Sequence, residues 1–220
     1  MPGSILFDLD GTLTDAKPGI TGCIRHSLRA LGVDPPSPDE LAWCLGPPLH
    51  HAFPKLLGTE DPATVQRAME LYRERFTEVG LYENAVYEGI PETLTQLRAM
   101  GYRLFVATSK PHVYARRILD HFEIAEPFKG IYGSELDGTR CGKADLIAHI
   151  LATESLDPSE TIMVGDRKHD MIGATACGIR GIGVLYGYGS REELLTAGAT
   201  ALCENPRELP DAVSGLPETE

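Results

Sequence analysis

The sequence predicts an α/β fold: a parallel sheet core, interrupted just after its first strand by an all-helical insert. Three observations carry this. Short apolar runs alternate with stretches of helical periodicity. The alternation lapses once, from about Gly19 to Ala85, where only helical spacing is found. Acidic residues follow directly on two of the apolar runs, where sheets of this kind bind ligands.

The elements follow in order. Ser4 to Phe7 reads as the first buried strand. In the insert, Ile20, Ile24, Leu28 and Leu31 fall at helical spacing, as do Val65, Met69, Tyr72, Phe76 and Val79 behind an Asp61-Pro62 start signal. Pro35 to Pro38 reads as a turn within it. Beyond it come a helix at Pro91–Met100, a strand at Arg103–Thr108, a helix at His112–His121 and a short strand at Gly130–Tyr132. A helix at Lys143–Ala152, a strand at Thr161–Val164 and a helix at Asp170–Cys177 come next. Gly181–Val184 and Ala201–Cys203 are predicted as edge strands, with a helix at Arg191–Ala197 between them and a frayed acidic tail after Asp211. Residues 1–18 and 86–220 therefore form the α/β core, and 19–85 the insert.

Composition bounds the partners. Of 220 residues, 42% are hydrophobic and 24% charged, an ordinary globular balance. The formal net charge of −12 offers no counterion release to a nucleic acid polymer and is repelled by anionic membranes. A small-molecule partner is the expectation. The five cysteines form no C-x-x-C pair, which predicts reduced thiols and neither a disulfide framework nor a zinc site. The N-terminal residues lack a basic segment followed by a long apolar run, so neither a signal peptide nor a membrane span is predicted and a cytoplasmic location is expected.

Four motifs carry chemistry. In Phe7–Asp15 (FDLDGTLTD) a strand delivers Asp8 and Asp10, and alternation places both on one side of an extended chain. Two such carboxylates repel unless a cation lies between them, and a hard dication with oxygen ligands, Mg²⁺, meets that need. D-x-D-G also occurs as a plain turn, but the buried strand before it and Thr12 and Thr14 after it argue otherwise. Thr108-Ser109-Lys110-Pro111 ends a second strand with hydroxyls able to hold phosphate oxygens, although Ser and Thr there also serve as caps. Lys143 opens a helix against the macrodipole, as a solvated lysine or as an inward cation for substrate phosphate or a carboxylate; Arg140 is a second candidate. In Gly165–Asp170 (GDRKHD), Asp166 follows a buried strand and Asp170 lies one turn further, so that both can face one site.

These motifs, in this order from Ser4 to about Cys203, resemble the haloacid dehalogenase (HAD) superfamily of phosphatases. The resemblance implies a Rossmann-like HAD fold with an inserted helical cap. The phosphoglycolate-phosphatase-like branch is the nearest, and DLDGTLTDAKPGI, LGPPL, GSELDG, GDRKHD and GVLYGYGSREEL are similar to its 5′-nucleotidase subgroup. It implies that Asp8 is the nucleophile and becomes an aspartyl-phosphate, and that Asp10 is the acid and base. Asp8 and Asp166 through side chains and Asp10 through its backbone carbonyl would ligate Mg²⁺. Thr108 and Lys143 would hold the phosphoryl group, Ser109, Gly11 and Thr12 would line its site, and Asp170 would orient Lys143 or a metal-bound water. The cap would close over the site, with Gly46–Leu49 as a specificity loop or a plain turn. His50, His51 and His169 have no role in this mechanism. Trp43 and Tyr72 could stack on a base, although cap core is the simpler reading for both. The implied substrate is a small phosphate ester, a nucleoside 5′-monophosphate foremost and phosphoglycolate second. A sugar phosphomutase, a dehalogenase and a non-catalytic sensor are the rivals; Asp10 and Asp166 count against the dehalogenase, because a halide leaves without protonation.

Overall fold

The computed structural model describes residues 3–46 and 49–216. Eight strands occur among them: β1 (Ser4–Phe7), β2 (Thr14–Asp15), β3 (Ala85–Val86), β4 (Arg103–Pro111), β5 (Phe128–Ser134), β6 (Thr161–Gly165), β7 (Arg180–Val184) and β8 (Ala201–Cys203). Six form one parallel sheet in the order β5-β4-β1-β6-β7-β8, while β2 and β3 pair with each other. The chain divides into two compact units, Met1–Thr14 with Val86–Glu220, and Asp15–Ala85.

The second unit is helical: α1 (Lys17–Ala30), α2 (Phe53–Leu57) and α3 (Pro62–Arg75), the last running into one π turn at Phe76–Gly80. Helix α1 buries Ile20, Cys23, Ile24 and Leu28 along one stripe. Asp61 caps α3, its carboxylate accepting from the Thr64 N–H at 2.9 Å, and Pro62 occupies the first turn. Helical spacing holds as far as Tyr72 and Phe76, whose rings stack at 5.3 Å. It fails at Val79, which is 43% exposed because the wider π turn rotates it off the buried face. Arg75 clamps Glu83 through two hydrogen bonds of 2.7 and 2.8 Å and closes this unit on itself.

The first unit covers the sheet with α4 (Ile90–Ala99), α5 (His112–His121), α6 (Lys143–Thr153), α7 (Lys168–Ala176), α8 (Arg191–Thr196) and α9 (Leu209–Ser214). Strands β1, β4 and β6 lie side by side in register, Phe7 opposite Val106 and Val164, and are buried on both faces. Such strands read as continuous apolar runs because helices cover both sides. Leu6, Phe105 and Met163 point to one face, where Leu146, Ile147 and Ile150 of α6 and Ala174 of α7 complete a core cluster. The sheet therefore brings the C-terminal ends of β1, β4 and β6 to the same end of the sheet.

Three expectations are corrected. Strand β7 is interior, because β8 pairs outside it through Ile182 opposite Ala201, and β5 forms the other edge. Strand β4 runs past Thr108 to Pro111, through a register irregularity against β5 that periodicity does not reveal. Helix α7 starts at Lys168, two residues before the predicted start, because Asp170 caps it from inside its first turn. None of the five cysteines is in a disulfide. Among the described residues no helix is long and apolar enough to cross a membrane.

Phe105 is fully buried in the cluster, so Phe105→Ala is expected to destabilise the protein by about 3–5 kcal/mol through lost burial and a residual cavity. Urea unfolding followed by circular dichroism measures it.

Candidate active site

The end of β1 builds the site. Beyond Phe7 the Asp8 N–H still donates to the Val164 carbonyl at 2.9 Å, so Asp8 stays pinned to β6. The chain then turns tightly, with Thr12, Leu13 and Thr14 N–H groups converging on the Leu9 carbonyl. Gly11 allows the turn: its φ is +87°, and a Cβ there would lie 2.2 Å from Asp166 Oδ2. Asp166 comes from the end of β6. Asp170 comes from the first turn of α7, where one carboxylate oxygen accepts the Arg167 N–H at 3.1 Å.

Asp8, Asp166 and Asp170 are buried, and one carboxylate oxygen from each lies within 4.8 Å of the others. Lys143, the first residue of α6, is also buried, and its ammonium lies 3.0 Å from Asp8 Oδ1 and 2.7 Å from Asp170 Oδ1. The same nitrogen donates to the Ala107 carbonyl at 2.8 Å, tying the cluster to β4. The inward reading of Lys143 is therefore the observed one. Of two identical-sign neighbours at this range, each pair repels by about 3–4 kcal/mol at the effective dielectric of a protein site. The consequence appears in the proton affinities. Burial, then the neighbouring carboxylates of Asp170 and Asp8, hold the Asp166 carboxyl well above its ordinary range. Burial pushes Asp170 up to about 6, with Lys143 acting against the rise and Asp8 adding to it. Burial opposes the charge on Lys143, but Asp170 and Asp8 outweigh it and raise its pKa.

The donor set fits a hard cation. Three carboxylates against one ammonium leave two negative charges, the charge of one dication. Asp166 Oδ1 is buried with no hydrogen-bond partner, while its other oxygen takes the Tyr188 N–H at 2.8 Å. A buried carboxylate oxygen left open is costly in a stable fold unless something binds it. Oxygen-only ligands of this kind suit a hard divalent cation rather than a softer metal.

The remaining candidates divide. The Asp10 carboxylate is not one of the three clustered groups: its Oδ1 pairs with Lys110 Nζ at 2.7 Å. Asp170 supplies the third carboxylate of the cluster. Burial raises the Asp10 pKa, with Lys110 acting against the rise. Thr108 is buried on β4, the strand next to β1, and its hydroxyl accepts the Lys110 N–H at 3.2 Å. Ser109 offers its carbonyl to Ser134 Oγ at 2.9 Å. Thr12 is buried with its hydroxyl unpartnered, and its carbonyl accepts the Tyr186 hydroxyl at 3.0 Å.

Others are not members of the cluster. Arg140 is engaged by Glu135. His169, His50 and His51 are exposed. In the helical unit Tyr72 is core, as expected, but Trp43 is 43% exposed with the Lys55 ammonium 5.6 Å over its ring. Of the Gly46–Leu49 loop, Pro47 and Pro48 lie outside the described residues.

Two contributors were missed from sequence. Lys110 stands in the sequence only as one residue of Thr108–Pro111, with no pattern that ties it to Asp10. The loop Tyr186–Gly189 supplies the Tyr188 N–H to Asp166, and a Cβ at Gly187 would meet the Gly11 carbonyl at 2.3 Å. The Y-G-Y-G run directly after a buried strand was the available signal.

The chain matches the haloacid dehalogenase-like hydrolase family over residues 5–184 and belongs to it. It is 50% identical over 200 residues to a 5′-nucleotidase of Pseudomonas aeruginosa, covering 91% of this chain and 90% of that one. It is 42% identical over 188 residues to the tyrosine-protein kinase PtkA of Mycobacterium tuberculosis, covering 86% of this chain but only 64% of that longer protein. A predicted phosphatase from Clostridium acetobutylicum has the same fold, with a TM-score of 0.92 and 39% identity over 98% of this chain and 100% of that one. Phosphoglycolate phosphatases are more distant, at 24 to 29% identity.

Two outcomes follow from the cluster. Lys143→Met leaves buried carboxylates without their ammonium and is expected to destabilise the metal-free protein by about 3–5 kcal/mol, read by urea unfolding. Raised carboxyl pKa values mean that protons compete with a cation. Affinity for a hard divalent cation is therefore expected to fall as pH drops through about 6, the value for Asp170, with proton release on binding measured by titration calorimetry in two buffers.

Proposed function

We propose that this protein is a magnesium-dependent phosphatase that hydrolyses nucleoside 5′-monophosphates through a phosphorylated Asp8. The buried cluster of Asp8, Asp166 and Asp170 around Lys143 carries this reading, and membership of a hydrolase family with a 5′-nucleotidase at 50% identity supports it. The greater distance of the phosphoglycolate phosphatases favours a nucleotide as substrate.

Each residue has a part. A carboxylate oxygen of Asp8 attacks phosphorus while the ester P–O bond breaks and its electron pair stays on the leaving oxygen. Asp10 gives that oxygen its proton, so a neutral nucleoside departs. Asp10, now a carboxylate, takes a proton from water as the water oxygen attacks phosphorus, which frees inorganic phosphate and restores Asp8. Lys143 and the Thr108 hydroxyl hold phosphoryl oxygens, with the backbone of Gly11, Thr12 and Ser109 completing the cradle. Asp8, Asp166 and Asp170 through side chains, and Asp10 through its main-chain carbonyl, would hold Mg²⁺. When bound, the ion neutralises charge, so that an anionic nucleophile and an anionic ester can approach.

The test is inorganic phosphate release from nucleoside monophosphates, phosphoglycolate and sugar phosphates, with Mg²⁺ and with EDTA. Mg²⁺-dependent release, fastest from nucleotides, is expected, and Asp8→Asn should lower it by roughly 10³-fold or more in a folded protein. Release that survives EDTA, phosphate that only migrates on its sugar, or near-normal activity of Asp8→Asn would each overturn the proposal.

A further inference from the structure

Lys110 takes no part in the reaction as written above, yet the fold buries it against the group that moves the proton. Its Nζ lies 2.7 Å from Asp10 Oδ1, with the two side chains only 7% and 12% exposed. Its place is built rather than incidental. Strand β4 continues beyond Thr108 through a register shift against β5 between Thr108 and Pro111. The Lys110 N–H donates to Thr108 Oγ1 at 3.2 Å, and Ser134 Oγ holds the preceding carbonyl, that of Ser109, at 2.9 Å. Irregularities of this kind re-aim side chains at strand ends. Asp8 and Asp10, two residues apart, are thereby given separate cations, Lys143 for the first and Lys110 for the second.

We propose that Lys110 is a positioning residue for phosphoryl transfer: its ammonium fixes the Asp10 carboxyl through Oδ1 and leaves Oδ2 to carry the proton to the leaving oxygen. This rests on the assignment of Asp10 as the acid and base. A carboxyl group turning freely about its side-chain bonds spends little time aligned with that oxygen, and an ammonium on one of its two oxygens removes that freedom. The proton moves from Asp10 as the P–O bond breaks, so Lys110 itself exchanges neither proton nor electron pair. An ammonium that served only to bind the substrate phosphate would act equally on every ester.

The experiment compares two substrates by kcat/KM. A nucleoside 5′-monophosphate has an alkoxide leaving group that needs the proton; 2,4-dinitrophenyl phosphate has one that leaves without it. Lys110→Met is expected to lower the value for the nucleotide by roughly 10²-fold and to leave that for the aryl ester within about threefold. Lys110→Arg, which keeps a cation, should recover part of the nucleotide value. An even loss on both substrates, with the split retained in Asp10→Asn, overturns the role of Lys110 alone. Absence of the split in Asp10→Asn overturns the acid–base assignment beneath it. Should Lys110→Met not fold, Lys110→Arg decides: a smaller split in the same direction supports the role, and an even loss overturns it.

Discussion

The charge balance at Lys143 is the constraint on which the site depends. One buried ammonium faces two carboxylates at 3.0 and 2.7 Å while a third lies in the same cluster. Buried charge of one sign is tolerated only where it is paired or bound, and one lysine cannot balance three aspartates. The excess is a standing requirement for a dication. It shows in the raised proton affinities of Asp166 and Asp170, and in a buried Asp166 oxygen with no partner.

The backbone earns that arrangement by spending each carboxylate twice. Asp170 gives one oxygen to the start of α7 and the other to Lys143. Asp166 gives one oxygen to the Tyr188 N–H and keeps the other open. These second contacts fix rotamers without consuming the oxygens that face inward, so the cluster is preorganised rather than assembled on binding. The sheet supplies the rigidity beneath it, because β1, β4 and β6 are buried on both faces and hydrogen-bonded side by side.

Much of the fold was legible because its signals are local. Buried parallel strands read as apolar runs such as Ser4–Phe7 and Thr161–Val164, and the helical insert showed itself through an uninterrupted change of period. The errors fell where non-local pairing decides. Strand β7 became interior only because β8 pairs beyond it, and Val79 left the buried face only because α3 widens into a π turn. Trp43, for which cap core was the simpler reading, stands exposed under a lysine. Size favours burial but does not fix which neighbours supply it.

In the site the same division holds. The sequence by itself determined the kind of sheet, the helical insert and the acidic motifs at the ends of β1 and β6, because hydrophobic period and motif spacing are properties of neighbouring residues. It did not determine which carboxylate meets which cation. That Asp10 turns to Lys110 while Asp170 joins Asp8 and Asp166, and that Lys143 reaches all the way in from the start of α6, depends on residues separated by up to 162 positions along the chain, as Asp8 and Asp170 are. Only the register of the packed strands brings such residues within a few ångströms, and electrostatic interaction at that range is set by distance and burial, which no local pattern encodes.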